Sequence, residues 1–225
     1  MKKKILMGVA MAAVCCAAAE PKTVKLDFAA QPEMFTARFP DNKKCDYVEK
    51  SIAIPEISDH NFTVEFKLDI TRINPYGNVW VGVTNSKRKA QNAFIRFGKS
   101  DSGPLIHFYS GVGFGGKPVT AKPFKGLARQ KYIVRIEYNA GGMQIRYQIS
   151  GADGKLLHDT NWVSCRVPLN PDRIAIRAND NMELGISIVN YNAERKCIFA
   201  RSMIGYEGKT PYMMEMDISE VTVVF

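Results

Sequence analysis

The sequence predicts an all-β fold, an antiparallel β-sandwich, on three observations. Apolar and polar residues alternate with period two over most of the chain beyond residue 20. Clusters of Gly, Pro, Asn and Asp separate the alternating runs. No segment carries the sustained i, i+3, i+4, i+7 apolar stripe of an amphipathic helix. Many short strands, each with one apolar face to bury, satisfy that need by packing sheet on sheet.

In chain order, residues 24–28 alternate first. Residues 62–70 set Phe62, Val64, Phe66, Leu68 and Ile70 against Thr63, Glu65, Lys67 and Asp69. Val79, Val81 and Val83 then alternate with Trp80, Gly82 and Thr84. Further runs cover 93–97, 105–109, 132–138, 143–149, 173–177, 183–189 and 221–225. They are rich in Val, Ile, Phe and Tyr, which fit a pleated, half-buried surface. Turn chemistry separates them at 74–77, 102–104, 139–142, 151–154, 170–172 and 179–181.

The first residues set the compartment. Lys2, Lys3 and Lys4 precede an apolar run over 5–16, and Ala17, Ala18 and Ala19 follow it. This is the layout of a secretory signal peptide. The run is shorter than the roughly 20 residues a bilayer span needs. Cleavage after Ala19 would leave 225 minus 19, or 206 residues, enough for one domain with its own core. The expected location is periplasmic or extracellular. Cys15 and Cys16 end the apolar run, but Val14 before Cys15 fits lipid attachment poorly. No later segment has the length and apolarity of a transmembrane helix.

Loss of three lysines lowers Lys+Arg from 31 to 28 against 22 Asp+Glu, a mature charge of +6. That mild excess permits an acidic partner and speaks against a polybasic nucleic-acid tract. Cys45, Cys165 and Cys197 remain. An oxidising compartment allows one bridge, expected between Cys165 and Cys197 in the late, strand-rich region, with Cys45 left over. No C-x-x-C spacing supports a zinc knuckle or a thioredoxin-like motif.

Five segments carry a family resemblance. Asn61-Phe62-Thr63-Val64-Glu65-Phe66-Lys67-Leu68, Gly77-Asn78-Val79-Trp80-Val81-Gly82-Val83 and Lys131-Tyr132-Ile133-Val134-Arg135-Ile136-Glu137-Tyr138 with Met143-Gln144-Ile145-Arg146-Tyr147 resemble consecutive strands of the concanavalin A-like lectin/glucanase superfamily. Ile218-Ser219-Glu220-Val221-Thr222-Val223-Val224-Phe225 resembles the closing strand of its laminin-G-like members. The resemblance covers most of the mature chain. It implies a jelly roll whose first and last strands lie together. The superfamily holds lectins, carbohydrate-binding modules, adhesion domains and glycoside hydrolases, so fold does not choose among them.

One motif is enzyme-like. Glu215-Met216-Asp217-Ile218-Ser219-Glu220 resembles the Glu-x-Asp-x-(x)-Glu signature of jelly-roll glucanases. The resemblance implies Glu215 as nucleophile, Glu220 as acid/base and Asp217 as assistant. Such chemistry needs both carboxyl groups on one face. The apolar phase passes from Met214, Met216 and Ile218 to Val221, Val223 and Phe225. That slip of one implies a β-bulge near Ser219 and Glu220, which lets the three acids share a face. In the glucanases much of the jelly roll follows this strand, which favours here a closing strand with solvated acids. His60, His107 and His158 lack ligand spacing. The glycine-rich run 111–116 opens no helix, so it is not a dinucleotide fingerprint.

A binding face follows from the same alternation. If Val79, Val81, Val83, Ile95, Phe97, Ile106, Phe108, Ile174, Ile176, Ile186 and Ile188 point inward, the opposite faces carry Trp80, Thr84, Arg96, His107, Tyr109, Arg177, Asn179, Ser187 and Tyr191. Flat aromatic rings beside hydrogen-bonding groups are the chemistry that holds sugars. The expected ligand set is Trp80, Arg96, His107, Tyr109, Arg177, Asn179 and Tyr191. Asp172, Asn179, Asp180 and Asn181 offer oxygens suited to Ca²⁺, although Asn and Asp also make turns. Lys87, Arg88, Lys89, Lys117, Lys122, Lys125, Arg129 and Lys131 are basic residues in or beside loops. They suit solubility or an acidic polysaccharide better than nucleic acid. The expected function is that of an exported, non-catalytic carbohydrate-binding module with no required cofactor.

Overall fold

Alternating sequence becomes strand along most of the described chain. The computed structural model describes residues 20–28, 36–38, 46–73, 78–88, 91–100, 103–110, 119, 123–180, 186–206 and 209–225. Expectations for the leader 1–19, Cys45, Lys89, the glycine run, Lys117, Lys122 and Asn181 lie outside these residues. The strands are β1 (Thr23–Lys25), β2 (Thr36–Arg38), β3 (Asp46–Ala53), β4 (Phe62–Ile73), β5 (Asn78–Thr84), β6 (Ala93–Ser100), β7 (Gly103–Ser110) and β8 (Phe124–Lys125). They continue with β9 (Lys131–Asn139), β10 (Gln144–Gly151), β11 (Leu156–Asp159), β12 (Val163–Ser164), β13 (Arg173–Asp180), β14 (Ile186–Asn192), β15 (Cys197–Tyr206) and β16 (Lys209–Val224). Pro55–Ile57 forms one 3-10 turn.

Two antiparallel sheets result. A nine-stranded sheet runs β11-β10-β9-β4-β16-β15-β14, with β1 paired to β16 and β12 to β10. A seven-stranded sheet runs β2-β3-β13-β5-β6-β7-β8. The two ends meet as expected, with Thr23 opposite Val224 and Lys25 opposite Thr222. The anticipated bulge is present: Ile218 faces Leu68 and Glu220 faces Lys67, so Ser219 is the extra residue.

The inward faces enclose one apolar cluster that includes Phe66, Leu68, Val81, Ile95, Phe108, Ile136, Ile176 and Met216. Tyr132, Tyr138 and Tyr147 on the nine-stranded sheet also point in, and their hydroxyls find backbone groups. Tyr147 donates to the carbonyl of Tyr109 on the other sheet at 2.5 Å. Tyr138 accepts from the amide of Leu169 at 3.0 Å, and Tyr132 from that of Ala128 at 2.9 Å. A buried hydroxyl without such a partner would cost about 1–3 kcal/mol.

Two expectations need correction. Cys165 and Cys197 are both free thiols. Cys165 packs in the core cluster beside the Ser110 hydroxyl, whereas Cys197 alternates with core-facing Ile198 and borders the outer face. One sulfur lies between the sheets and the other beside the outer face of the nine-stranded sheet, so no bridge joins them. In β14 the phase is inverted: Val189 is the core residue, and Tyr191 packs against the core with it.

Gly82 occupies a position that only a glycine fits. A Cβ there would sit 2.0 Å from the Ala93 carbonyl oxygen and 2.8 Å from Phe94 Cα. Gly82→Ala is expected to destabilise the protein by about 1–3 kcal/mol through overpacking. Urea unfolding checks this; an unchanged midpoint would show that β5 and β6 have room to spare.

Candidate functional site

Register assembles the face that alternation implied. Arg177 on β13 stands opposite Trp80 on β5, Trp80 opposite Arg96 on β6, and Arg96 opposite His107 on β7. The next row reads Ala175, Gly82, Phe94 and Tyr109. Both rows lie on the side of the seven-stranded sheet away from the main core, and Trp80, Phe94, Tyr109 and Ala175 form a separate apolar cluster.

The rings and guanidinium groups interlock. Trp80 and Tyr109 have ring centroids 4.9 Å apart, and Phe94 meets Trp80 edge-on at 6.3 Å. Arg96 lies over Trp80 at 5.5 Å and Arg177 over Phe94 at 4.1 Å. Phe94 stands opposite Gly82, which has no side chain, so its ring can lean over β5 and meet Arg177 on the diagonal. Arg177 is buried and ion-paired to Glu49 on β3. A buried guanidinium requires such a partner. Arg96 is only half-buried. Its Nε donates to Asn78 Oδ1 at 2.7 Å and its Nη1 to Tyr109 Oη at 3.4 Å.

His107 closes the row. Burial pushes its imidazole below the ordinary value, and the Arg96 charge adds to that. Its Nδ1 is buried with no hydrogen-bond partner among the described residues.

The structure brings Trp80, Arg96, His107, Tyr109 and Arg177 together. Asn179 pairs with Asn78 in register, but its side chain and that of Ser187 lie outside the described residues. Tyr191 does not join the set, because β14 belongs to the nine-stranded sheet and turns that ring to the core. Nor is the aromatic pair an open platform: Trp80 is 8% exposed and Tyr109 6%. Trp80→Ala would leave a cavity, so it tests stability more than binding. Sequence reasoning passes over Glu49 and Phe94. The alternation of 93–97 does put Phe94 in phase with Arg96, whereas nothing local marks Glu49 as the partner of Arg177.

The acids of the enzyme-like motif occupy the outer face of the nine-stranded sheet. Met214, Met216, Ile218, Val221 and Val223 are all core residues, which turns Glu215, Asp217 and Glu220 outward together. Each acid is held by its own cations. Glu215 pairs with Arg72 at 3.1 Å and Arg201 at 2.6 Å, Asp217 with Arg195 at 2.6 Å, and Glu220 with Lys25 and, at 2.8 Å, Lys67. Hydrogen bonds from Lys25 and Lys67 hold the Glu220 carboxyl below its usual range. Burial raises that of Asp217, against the pull of Arg195. Asp217 borders a depression of about 420 Å³ with Lys67, Asp69, Lys131, Arg195 and Cys197.

The suggested calcium oxygens are engaged or undescribed. Asp172 Oδ1 accepts from the Ser86 amide at 2.8 Å, and its carboxylate lies 3.6 Å from Arg173. β13 runs through Asn179 and Asp180, where a turn was expected. Among the described residues no group of three or more His, Cys, Asp or Glu is placed to hold a metal.

No family model matches the chain, and no characterised protein matches it in sequence. Solved structures do match in fold. The CBM2 module of the evolved Dit of Lactobacillus casei BL23 phage J-1 is similar at TM-score 0.55 and 9% identity, over 90% of this chain and 96% of that one. Winged bean acidic lectin, complexed with methyl-α-D-galactose, aligns at TM-score 0.52 and 12% identity, over 91% and 98%. Peanut lectin aligns at TM-score 0.50 and 10% identity, over 92% and 97%. The chain has the concanavalin A-like jelly-roll fold of these lectins.

His107 makes stability depend on pH. Its folded value lies below the unfolded one of about 6.5, so the unfolded chain takes up the proton first. The stabilisation is complete above that value and is lost as pH falls through it toward the folded value. His158 is shifted the same way, chiefly by burial. Urea midpoints should therefore fall between about pH 7.5 and 5.5. His107→Gln should flatten that dependence, and an equally steep loss in the variant would rule out His107 as a source.

Proposed function

We propose that this chain is an exported, non-catalytic module that binds carbohydrate through the outer face of its seven-stranded sheet. The observation that carries the reading is Arg96. Its guanidinium is half-buried and stacked over Trp80, with no carboxylate in ion-pair reach among the described residues. A half-buried planar cation over an aromatic ring, with no carboxylate of its own among the described residues, suits a sugar carrying a carboxylate or sulfate. The preferred partner is therefore an acidic glycan. Lectins and a carbohydrate-binding module among the fold neighbours support a carbohydrate ligand. No cofactor is assigned.

The ion pairs of the motif acids support a non-catalytic role. A glycosidase acid must hold its proton at working pH. The lysines around Glu220 drive it the other way.

Calorimetry with a carboxylated or sulfated polysaccharide at low salt tests the binding face. Arg96→Gln should weaken binding by about 1.5–3 kcal/mol, the range for a hydrogen bond to a charged group. Undiminished affinity in a folded variant would remove this face from the proposal. The chain should also release no reducing sugar from laminarin, lichenan, agarose or carrageenan. Release that disappears in Glu215→Gln or Glu220→Gln would establish a hydrolase instead.

A further inference from the structure

The chain has two tryptophans, and their settings are opposite. Trp80 is enclosed, whereas Trp162 is 42% exposed. Trp162 lies between β11 and β12 on the nine-stranded sheet, and no other ring or cation covers it among the described residues.

The backbone that presents it is pinned. Thr160 exchanges hydrogen bonds with Tyr147 of β10: its amide donates to the Tyr147 carbonyl and its Oγ1 accepts from the Tyr147 amide, both at 3.0 Å. Asn161 adopts a left-handed φ of 56°, and its amide donates to Asp159 Oδ1 at 2.7 Å. Asp159 is itself fixed by Arg146 and by Gln148 Nε2 at 3.0 Å. Asn adopts a left-handed φ more readily than most residues, and these bonds hold Asn161 there. The turn leaves part of the Trp162 indole open to water.

That indole borders an open groove of about 370 Å³, whose lining includes Asn61, Thr63, Glu137, Asn139 and Phe225. Asn61 Oδ1 accepts from the Ala140 amide at 2.8 Å and Asn139 Oδ1 from the Gly142 amide at 3.1 Å. Both carboxamides have thus committed the oxygen and keep the NH₂ as a donor. Glu137 stands 3.6 Å from Arg146 and 3.9 Å from Arg135, beyond hydrogen-bond length, so its carboxylate retains acceptor capacity. The groove therefore combines an exposed flat ring, amide donors and a carboxylate acceptor.

We propose that this groove is a second carbohydrate site, which takes a neutral pyranose ring against the indole of Trp162. The apolar C–H face of a pyranose matches the ring, and its edge hydroxyls match the amides and the carboxylate. The charge of Glu137 selects against an acidic sugar, which separates this site from the Arg96 face on the other sheet. The proposal rests on the reading of the chain as a carbohydrate binder.

The two-tryptophan composition supplies the assay. Cellotetraose, laminaritetraose, mannotetraose and galactotetraose are titrated into the full protein and into Trp162→Phe while indole emission is followed. At least one should change the emission of the parent protein, and that change should vanish in the variant, where the enclosed Trp80 is the sole indole. By calorimetry, Trp162→Ala should lower affinity about fivefold or more, which corresponds to the usual 1 kcal/mol threshold for a contact that matters. Its melting temperature should fall far less than that of Trp80→Ala, because Trp162 is 42% exposed and Trp80 8%. Neutral binding at full affinity in Trp162→Ala overturns the groove and leaves the carbohydrate reading standing. Failure of all four sugars also overturns the groove, and failure of acidic polysaccharides as well removes both.

Discussion

The seven-stranded sheet has little water on either side, and much of the structure answers to that. Every residue of β5 is buried, those facing the main core and those facing away alike. An ordinary sandwich strand keeps one face polar and wet. Here most of the outward row finds its partners within the face. Arg177 takes Glu49, Arg96 takes Asn78 and Tyr109, and both guanidinium planes lie on aromatic rings. Gly82 is part of the same solution, since the space it leaves is where Phe94 reaches Arg177.

The nine-stranded sheet solves the opposite problem. Its outer face is more open to solvent and is covered chiefly by charged side chains, with Phe199 and Trp162 among them. Lys25, Glu220 and Lys67 form one chain of pairs, and Glu65, Arg135, Glu137, Arg146 and Asp159 form another. Pairs as exposed as these add little stability one at a time. Alternating signs across neighbouring strands do fix register and discourage edge-to-edge association. Two unlike surfaces on one sandwich can therefore serve different contacts without competing.

Much of this is legible in the sequence where alternation is unambiguous. Val79, Trp80, Val81 and Gly82 assign their own faces, and short connections keep β5, β6 and β7 adjacent, so the row Trp80, Arg96, His107 follows. The Ser219 bulge shows as a slip of phase between Ile218 and Val221. Legibility ends where two phases fit equally well. In β14, Ile188 and Val189 are adjacent and both apolar, so alternation alone does not choose, and Tyr191 lies on the side opposite to the one expected. β15 is hidden because its inward residues include the small Ala200 and Ser202. Cys165 and Cys197 share the late, strand-rich region, yet that says nothing of which side of a sheet each sulfur meets. Trp162 escapes notice for a different reason: its exposure is set by hydrogen bonds from Asp159 and Thr160, a device that no hydrophobic period encodes.

The pairing of β1 with β16 has a mechanical meaning. Lys22 and Phe225 exchange both backbone hydrogen bonds, at 2.8 and 3.0 Å, so the first and last described strands end at one corner. Tension applied between those two points loads the ladder one rung at a time, as a zipper opens. Tension applied at Lys22 along the strand, against a body held elsewhere, loads the β1 rungs together in shear. The same short strand is thus weak in one direction and strong in the other. The direction of pull therefore decides how long the pairing of β1 with β16 holds.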